Sequence, residues 1–447
     1  MSGYDCTDYN QCPKEKVLEN FYINNQEFNF LFVGCWGVYG KEGNHEEENW
    51  DEVKKTWKEP KTKTYGQKSV VEAMKKFVEQ KGPQQAVILA GDNVYSDSKI
   101  PINPKFRSDI ESYGKHYAYN MKKQLDEGFI RSMSTVPTDH FLIGIGNHDI
   151  ETCETINKQL NYKENNWTMP GLSYKIMYEN PEKIFNVNLI FIDTNMYKKK
   201  WCFKVHGGPS SSNEQKYLEN QEYPQDAIKN QAEWLGKALD KSRNTWNIVI
   251  GHIPFICSSH KKAKDKEAKK DKEGKEGKKD KEGKKDKEGK KDKEGKEGKE
   301  GKEGKEGKED KEGKEGKEPK KAKLNVLNEE LYDLILSHAE YIDLYMCADE
   351  HNQQYITDLV DEDIGPTYIR DYHGCRKLPP QVIAGSGGTV LDPEFYPVKD
   401  SELEKATKYH QSIFGFVSVK VNNENISLNF NDTQGKLTVK FDIDKKR

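Results

Sequence analysis

Apolar residues in this chain gather in short runs that stop abruptly. Phe28 to Val33, Ala86 to Ala90, His140 to Ile145, Trp246 to Ile250 and Ile342 to Cys347 are each a few residues long. Runs of that length, closed by glycine or polar residues, predict buried strands. Between the first two, Ser69 to Gln80 sets Val70, Val71, Met74, Phe77 and Val78 at helical spacing. That order reads as strand, helix, strand, a βαβ unit. Val187 to Asp193 predicts a further strand, Gln231 to Leu239 an amphipathic helix, Leu331 to His338 a helix, and Val382-Ile-Ala a strand ending in a glycine turn. Phe414 to Val421, Ile426 to Phe430 and Leu437 to Phe441 alternate in strand fashion and predict a β-rich C-terminal end.

Elsewhere the pattern is weaker. Residues 1–27 are polar and mixed, and read as a tail or an edge segment. Lys41 to Lys63 is charged and irregular and is expected to frame a pocket rim. Ile100 to Arg131 is expected to be helical in part, with Tyr113, Tyr117 and Tyr119 in the core or at the rim. Asn166 to Tyr174 reads as a loop broken by Pro170.

Composition changes the picture at one place. Charged residues make up 33% of the 447 and apolar ones only 34%, largely because residues 261–323 are almost all Lys, Glu, Asp and Gly. Such a segment has nothing apolar to bury and too much glycine for helix, so it is expected to be a disordered surface insert. Its glycine period of three lacks the proline of collagen. Setting it aside leaves material for one domain over residues 28–447. The net charge of -3 implies no general attraction to nucleic acid. No apolar run approaches the ~20 residues needed to cross a bilayer.

The first ten residues lack a basic region followed by an apolar core. The chain as it stands is therefore expected in the cytoplasm, the secretory route being the alternative if a targeting segment is missing. The eight cysteines contain no CxxC pair, so no zinc knuckle is suggested. Cys6 and Cys12 could bridge in an oxidising compartment. The sequons at Asn166, Asn425 and Asn431 would matter only there, and are read as incidental.

The candidate chemistry lies where the apolar runs end. Ala86 to Ala90 leads into Gly91-Asp92-Asn93-Val94-Tyr95, and Phe28 to Val33 into Gly34-Cys35. His140 to Ile145 leads into Gly146-Asn147-His148-Asp149, Trp246 to Ile250 into Gly251-His252, and Ile342 to Cys347 into Ala348-Asp349-Glu350-His351. Five strands each deliver a nitrogen, oxygen or sulfur donor just past the last apolar residue, and most do so after a glycine that lets the backbone turn. Sites in open α/β sheets form outside the carboxyl ends of strands. Asp92 is the candidate for an oxygen shared between two metal ions.

Laid in order, these motifs resemble the calcineurin-like metallophosphoesterases, and among them the small, tartrate-resistant type of purple acid phosphatase. The resemblance runs from about Phe28 to Phe441, interrupted by the charged insert, and Tyr95 is its most specific element. It implies an α/β (α+β) four-layer sandwich, two packed mixed sheets flanked by helices. It implies two metal ions, iron paired with iron, zinc or manganese, one held by Cys35, Asp92, Tyr95 and His351 and the other by Asp92, Asn147, His252 and Asp349. It implies hydrolysis of phosphomonoesters by a hydroxide the two metals hold, with Asn147 and His148 on the substrate, His148 as catalytic acid, His260 assisting, and Asp149 orienting His148. Two positions depart from the family pattern. Cys35 stands where it has Asp, and Ala348-Asp349 where it has Gly-His. Thiolate and carboxylate both bind metal, so the main expectation is an acid phosphatase. The alternative is a catalytically impaired, phosphatase-like binding or scaffold protein, with the insert as an arm for a protein partner.

Overall fold

The structure is a computed structural model. It describes residues 9, 15–23, 26–38, 42–51, 56–95, 124–198, 200–206, 217–257, 328–359, 377–392 and 401–445. Residues 261–323, His260, Cys6, Cys12 and the tyrosines at 113, 117 and 119 lie outside the described residues.

Two mixed sheets carry the fold. One is built from β2 (Phe28–Val33), β5 (Gln84–Ala90), β6 (Thr138–Gly144), β7 (Trp167–Thr168), β17 (Gly415–Val421), β18 (Asn425–Asp432) and β19 (Leu437–Asp444), in the order β19-β18-β17-β2-β5-β6-β7. The other contains β1 (Glu15–Tyr22), β8 (Ser173–Glu179), β9 (Asn186–Phe191), β12 (Thr245–Ile250), β13 (Leu344–Cys347), β14 (Gln353–Ile356), β15 (Gln381–Ala384) and β16 (Thr407–Gln411), in the order β1-β8-β9-β12-β13-β15-β14-β16. The centres are parallel, β2 to β5 to β6 in one and β9 to β12 to β13 to β15 in the other.

Alternation along each strand explains why the central runs are apolar throughout. Phe28, Phe30, Phe32, Ala86, Ile88 and Ala90 face the second sheet, where they meet Ile176, Leu189, Phe191, Ile248, Ile250, Leu344 and Met346. Leu31, Val33, Val87 and Leu89 point the other way, onto Val70, Val71, Met74 and Val78 of helix α1 (Gln67–Lys81). On the far side, Ile190, Val249 and Tyr345 pack with Trp234 and Leu235 of helix Ala227–Ala238 and Leu331 and Ile335 of helix Glu329–Ser337. Both faces of each central strand are therefore dry, and a two-sided apolar run is the pattern such strands need. Each fully buried phenylalanine contributes about 1.5–3 kcal/mol. Helix, sheet, sheet and helix make the four layers the resemblance implies.

The stretch Lys41 to Lys63 corrects an expectation. It runs through the strand β3 (Glu42–Asp51) into β4 (Thr56–Gly66), an antiparallel hairpin with Asn44 opposite Thr64 and Trp50 opposite Trp57. Backbone pairing within a two-stranded hairpin leaves little need for an apolar face, so the charged side chains hid it. A second hairpin joins β10 (Lys200–His206) to β11 (Tyr217–Glu222). One further feature escaped the sequence altogether. Cys202 of β10 is disulfide-bonded to Cys153, the first residue of helix Cys153–Asn161, with Cα atoms 5.3 Å apart.

Candidate metal centre

The parallel centres of the two sheets end side by side. Gly34, after β2, lies so close to Ala348, after β13, that a Cβ at Gly34 would stand 2.4 Å from the alanine Cβ. Backbone bonds tie the strand ends together: Cys35 N donates to Gly91 O at 3.0 Å, Gly34 N to Ala384 O at 2.9 Å, and Ala348 N to His252 O at 2.9 Å. The glycines before the donor residues serve mainly to allow this closeness. A Cβ at Gly146 would meet Asp92 N at 2.2 Å, and one at Gly251 would meet Tyr345 Oη at 2.3 Å. The turning is shared between Gly91, with a φ of 87°, and the donor residues themselves. Cys35, Asp92 and Asp349 have φ of 54°, 53° and 58°. Left-handed backbone costs a non-glycine residue on the order of 1–3 kcal/mol, and such strain gathers at functional sites. Three of the seven proposed donors carry it.

The side chains converge on Asp92. Donor atoms of Cys35, Asp92 and His351 all lie within 4.8 Å of one another. The Cys35 thiol donates to Asp92 Oδ2 at 3.8 Å, and Tyr95 Oη donates to the same oxygen at 2.9 Å. On the other side, His252 Nε2 lies 3.3 Å from Asp92 Oδ1, 3.6 Å from Asp349 Oδ1 and 3.2 Å from Asn147 Oδ1. All seven residues predicted as metal donors thus meet around one carboxylate, in two groups that share it.

Both histidines are set by backbone carbonyls. His252 Nδ1 is 2.8 Å from Ala90 O, and His351 Nδ1 is 2.8 Å from Val390 O. Protons on those nitrogens leave Nε2 as the ring atom for coordination, the usual arrangement of a metal-binding imidazole. The His351 backbone N–H donates to Asp392 Oδ2 at 2.8 Å, and Thr194 Oγ1 accepts from the N–H groups of His252 and Ile253 at 3.2 and 3.0 Å. Sequence reasoning missed Asp392 and the role of Thr194, because neither adjoins a strand-end motif that bears a donor.

The holder of His148 is a second correction. Its Nδ1 pairs with Glu151 Oε1 at 2.6 Å. Asp149 turns inward instead, accepting from the N–H groups of Asn93 (2.9 Å), Val94 (3.1 Å) and Gly146 (2.7 Å) and from Gln159 Nε2 (3.1 Å). Asp149 is fully buried, and these donors make it the pin that joins the β5 and β6 loops. Glu151 stands three residues after His148 in a turn that precedes the helix, so no periodic pattern marked it. The His148 backbone N–H donates to Asp92 Oδ1 at 3.0 Å, and its ring lies 4.4 Å from the Tyr95 ring.

Electrostatics follow from burial. Desolvation, then the neighbouring Asp92, pushes the Cys35 thiol well above its usual range. Tyr95 is pushed up for the same reasons. Burial disfavours charge on His252, but Asp92 and Asp349 outweigh it and raise it to about 10. The carboxylates therefore create a field that favours positive charge, while sulfur and phenol stay protonated on the protein's own charges. His148 is held below its ordinary value, by burial first, with the Asp92 carboxylate opposing.

A family model of calcineurin-like phosphoesterases matches residues 28–275, more than half of the chain. No curated protein matches. Similar solved structures include GAP50, the anchor in the inner membrane complex of Plasmodium, at 16% identity and a TM-score of 0.48 over 95% of this chain and 90% of that one. A purple acid phosphatase from yellow lupin (Lupinus luteus) seeds is similar at 13% identity and a TM-score of 0.45, over 94% of this chain but 54% of its own. A dimetal phosphatase from Danio rerio is similar at 10% identity and a TM-score of 0.38, over 94% of this chain and 99% of its own.

Proposed function

The chain belongs to the calcineurin-like phosphoesterases, and on that premise we propose that it is a metal-dependent phosphomonoesterase of the acid phosphatase kind. The observation that carries the reading is the pair of donor groups around Asp92. Their chemistry fits two cations. Carboxylates face inward beside imidazoles whose Nδ1 is taken by backbone carbonyls, and the field there already draws positive charge. Cys35, Asp92, Tyr95 and His351 would hold one ion, and Asp92, Asn147, His252 and Asp349 the other. Iron beside iron, zinc or manganese suits a set mixing oxygen, nitrogen and sulfur. Such a pair supplies Lewis acidity toward a phosphoryl oxygen when bound.

The chain's own groups do the rest. Asn147 and His148 sit at the end of β6, where they would touch the phosphate. Glu151 fixes His148 through Nδ1, leaving Nε2 to give a proton to the leaving oxygen. Asp149 keeps the loops in register and takes no part in the proton transfer. His260 remains a proposed assistant on sequence grounds only. No helix among the described residues is long and apolar enough to cross a membrane.

A second reading, a phosphatase-like binding protein with the charged insert as its interaction arm, is favoured by one contact. The Cys35 thiol donates to the very carboxylate proposed to bridge the metals. A thiol that keeps its proton there is a poor donor. Metal content of the purified protein separates the two. About two equivalents per chain, with turnover of p-nitrophenyl phosphate, supports the phosphatase; metal-free protein without turnover supports the binding protein. Cys35→Asp with Asp349→His should raise metal content and rate beyond the sum of the single changes, because both positions serve ions that share Asp92. In that background His148→Ala should remove most of the rate and leave the metal in place.

A further inference from the structure

We infer that Asn166 carries an N-linked oligosaccharide, acquired where the Cys153–Cys202 disulfide forms. Two independent observations meet here. The first is the disulfide, whose cysteines are both buried. Protein disulfides form and persist in oxidising compartments and are rare in the cytosol. This favours the secretory alternative of the two compartments considered from sequence, and makes the three sequons relevant.

The second observation is that the fold separates those sequons. Asn431 is 2% exposed, and its amide nitrogen donates to Asn429 O at 2.8 Å and Ser418 Oγ at 3.3 Å. Both amide hydrogens are used, and a sugar on that nitrogen would have to be expelled for the sheet to close. Asn425 is half-buried as the first residue of β18, its oxygen accepting from Asn422 Nδ2 at 3.4 Å, and the hydroxyl of its sequon, on Ser427, is committed to Asp442.

Asn166 differs in exposure and in its side-chain amide, while the hydroxyl of its sequon, on Thr168, bonds among the described residues only within the sequon, to Asn166 O at 3.3 Å. It is exposed, and its side chain makes no hydrogen bond among the described residues. Its φ of 59° is left-handed, a conformation asparagine tolerates. The residues beside it hold it out. Trp167 is buried, with Nε1 donating to Gln159 O at 3.1 Å, while Phe141 N donates to the Asn166 carbonyl at 3.0 Å. Asn166 immediately precedes β7, which pairs with β6 in parallel, Phe141 opposite Trp167. It is thus level with His140, while the metal centre lies beyond the other end of β6. A glycan there shields the outer edge of a two-residue strand and leaves the centre open.

The transfer balances without a redox step. Asn166 Nδ2 bonds to the anomeric carbon of a lipid-pyrophosphate-linked oligosaccharide. The anomeric C–O bond breaks, the lipid pyrophosphate leaves with the electron pair, and the amide loses one proton to the transferase.

The test is peptide mapping of the full chain isolated from its own cells, without reduction, before and after peptide N-glycosidase. The expected result is Cys153 linked to Cys202, and an Asn166 peptide that appears only after the enzyme, as Asp. An unmodified Asn166 peptide in untreated protein, carbohydrate on Asn425 or Asn431 alone, or free thiols at Cys153 and Cys202 would each overturn the inference. In secretory cells, Thr168→Ala should abolish the gel shift at this site and Thr168→Ser should keep it. Asn166→Gln removes the acceptor itself, and a shift unchanged in both Asn166→Gln and Thr168→Ala would also overturn it.

Discussion

Gly34 has no side chain, and Ala348 fills the space one would need. A methyl at Gly34 would stand 2.4 Å from the Ala348 Cβ and 3.2 Å from Ala90 O. Neither neighbour is flexible, so Gly34→Ala should destabilise by about 1–3 kcal/mol, the usual cost of overpacking. Ala348→Gly in the same chain should restore most of that loss, since it removes the closest atom. Denaturant midpoints of the two single variants and the double variant check this. Additive losses would mean that the two strand ends are not in contact. Asp193 gives a second residue-scale expectation, set by pH. Burial pushes its carboxyl up to about 6, against hydrogen bonds from Asn195 and Tyr223. The native state then holds this proton more tightly than the unfolded chain, whose carboxyl titrates near 3.8. Its contribution to stability is fully present below pH ~4 and is lost as pH rises through about 6, on the order of 3 kcal/mol. Asp193→Asn should flatten stability across that window relative to the parent chain. An unchanged pH profile would show that Asp193 titrates as an ordinary carboxyl.

At the scale of elements, the Cys153–Cys202 bond ties the start of helix Cys153–Asn161 to strand β10 across a sequence separation of 49. Closing a loop of that size removes unfolded-state entropy worth about 4 kcal/mol in the chain-entropy model, and measured values usually fall at about 2–4. Replacing both cysteines with alanine should lower unfolding free energy by that amount. The helix keeps its Thr152 cap, so the loss should appear as global destabilisation and not as local fraying, which circular dichroism during denaturation distinguishes. A loss under about 1 kcal/mol would mean that the bond contributes no constraint. This bond also shows where sequence legibility ended. β2, β5, β12 and β13 could be read because each is dry on both faces, which leaves an unbroken apolar run. The β3–β4 hairpin could not, because it lies outside both sheets. The proposed donors Cys35, Asp92, Tyr95, Asn147, His252, Asp349 and His351 were legible because each lies within five residues of a strand end, in motifs that resemble the family's. Glu151, Asp392 and Thr194 act through contacts that depend on how loops fold back, which no periodicity encodes. Pairing of Cys153 with Cys202 is of the same kind, since eight cysteines leave many connectivities open.

At the scale of the whole molecule, the proposed metal centre can form only once both sheets are in place. Cys35, Asp92 and Asn147 come from β2, β5 and β6 of one sheet, and His252 and Asp349 from β12 and β13 of the other. Residues 261–323 fall in sequence between β12 and β13, so any constraint they impose would act on the formation of that shared centre. Their composition argues that they impose only an entropic one. Nearly all Lys, Glu, Asp and Gly, they contain almost nothing apolar to bury. A long closed loop costs slightly more than a short one, by roughly 0.6 kcal/mol for each doubling. Deleting Lys264 to Pro319 should therefore make the chain about 1–2 kcal/mol more stable, with metal content and rate unchanged. Denaturant unfolding and metal analysis of the deleted and full chains decide the matter. A lower midpoint, or loss of the cooperative transition, would show that the charged segment contributes a structural element to the domain. A higher midpoint with unaltered metal binding would confine the segment to a role outside the fold, which is what an arm for a protein partner requires.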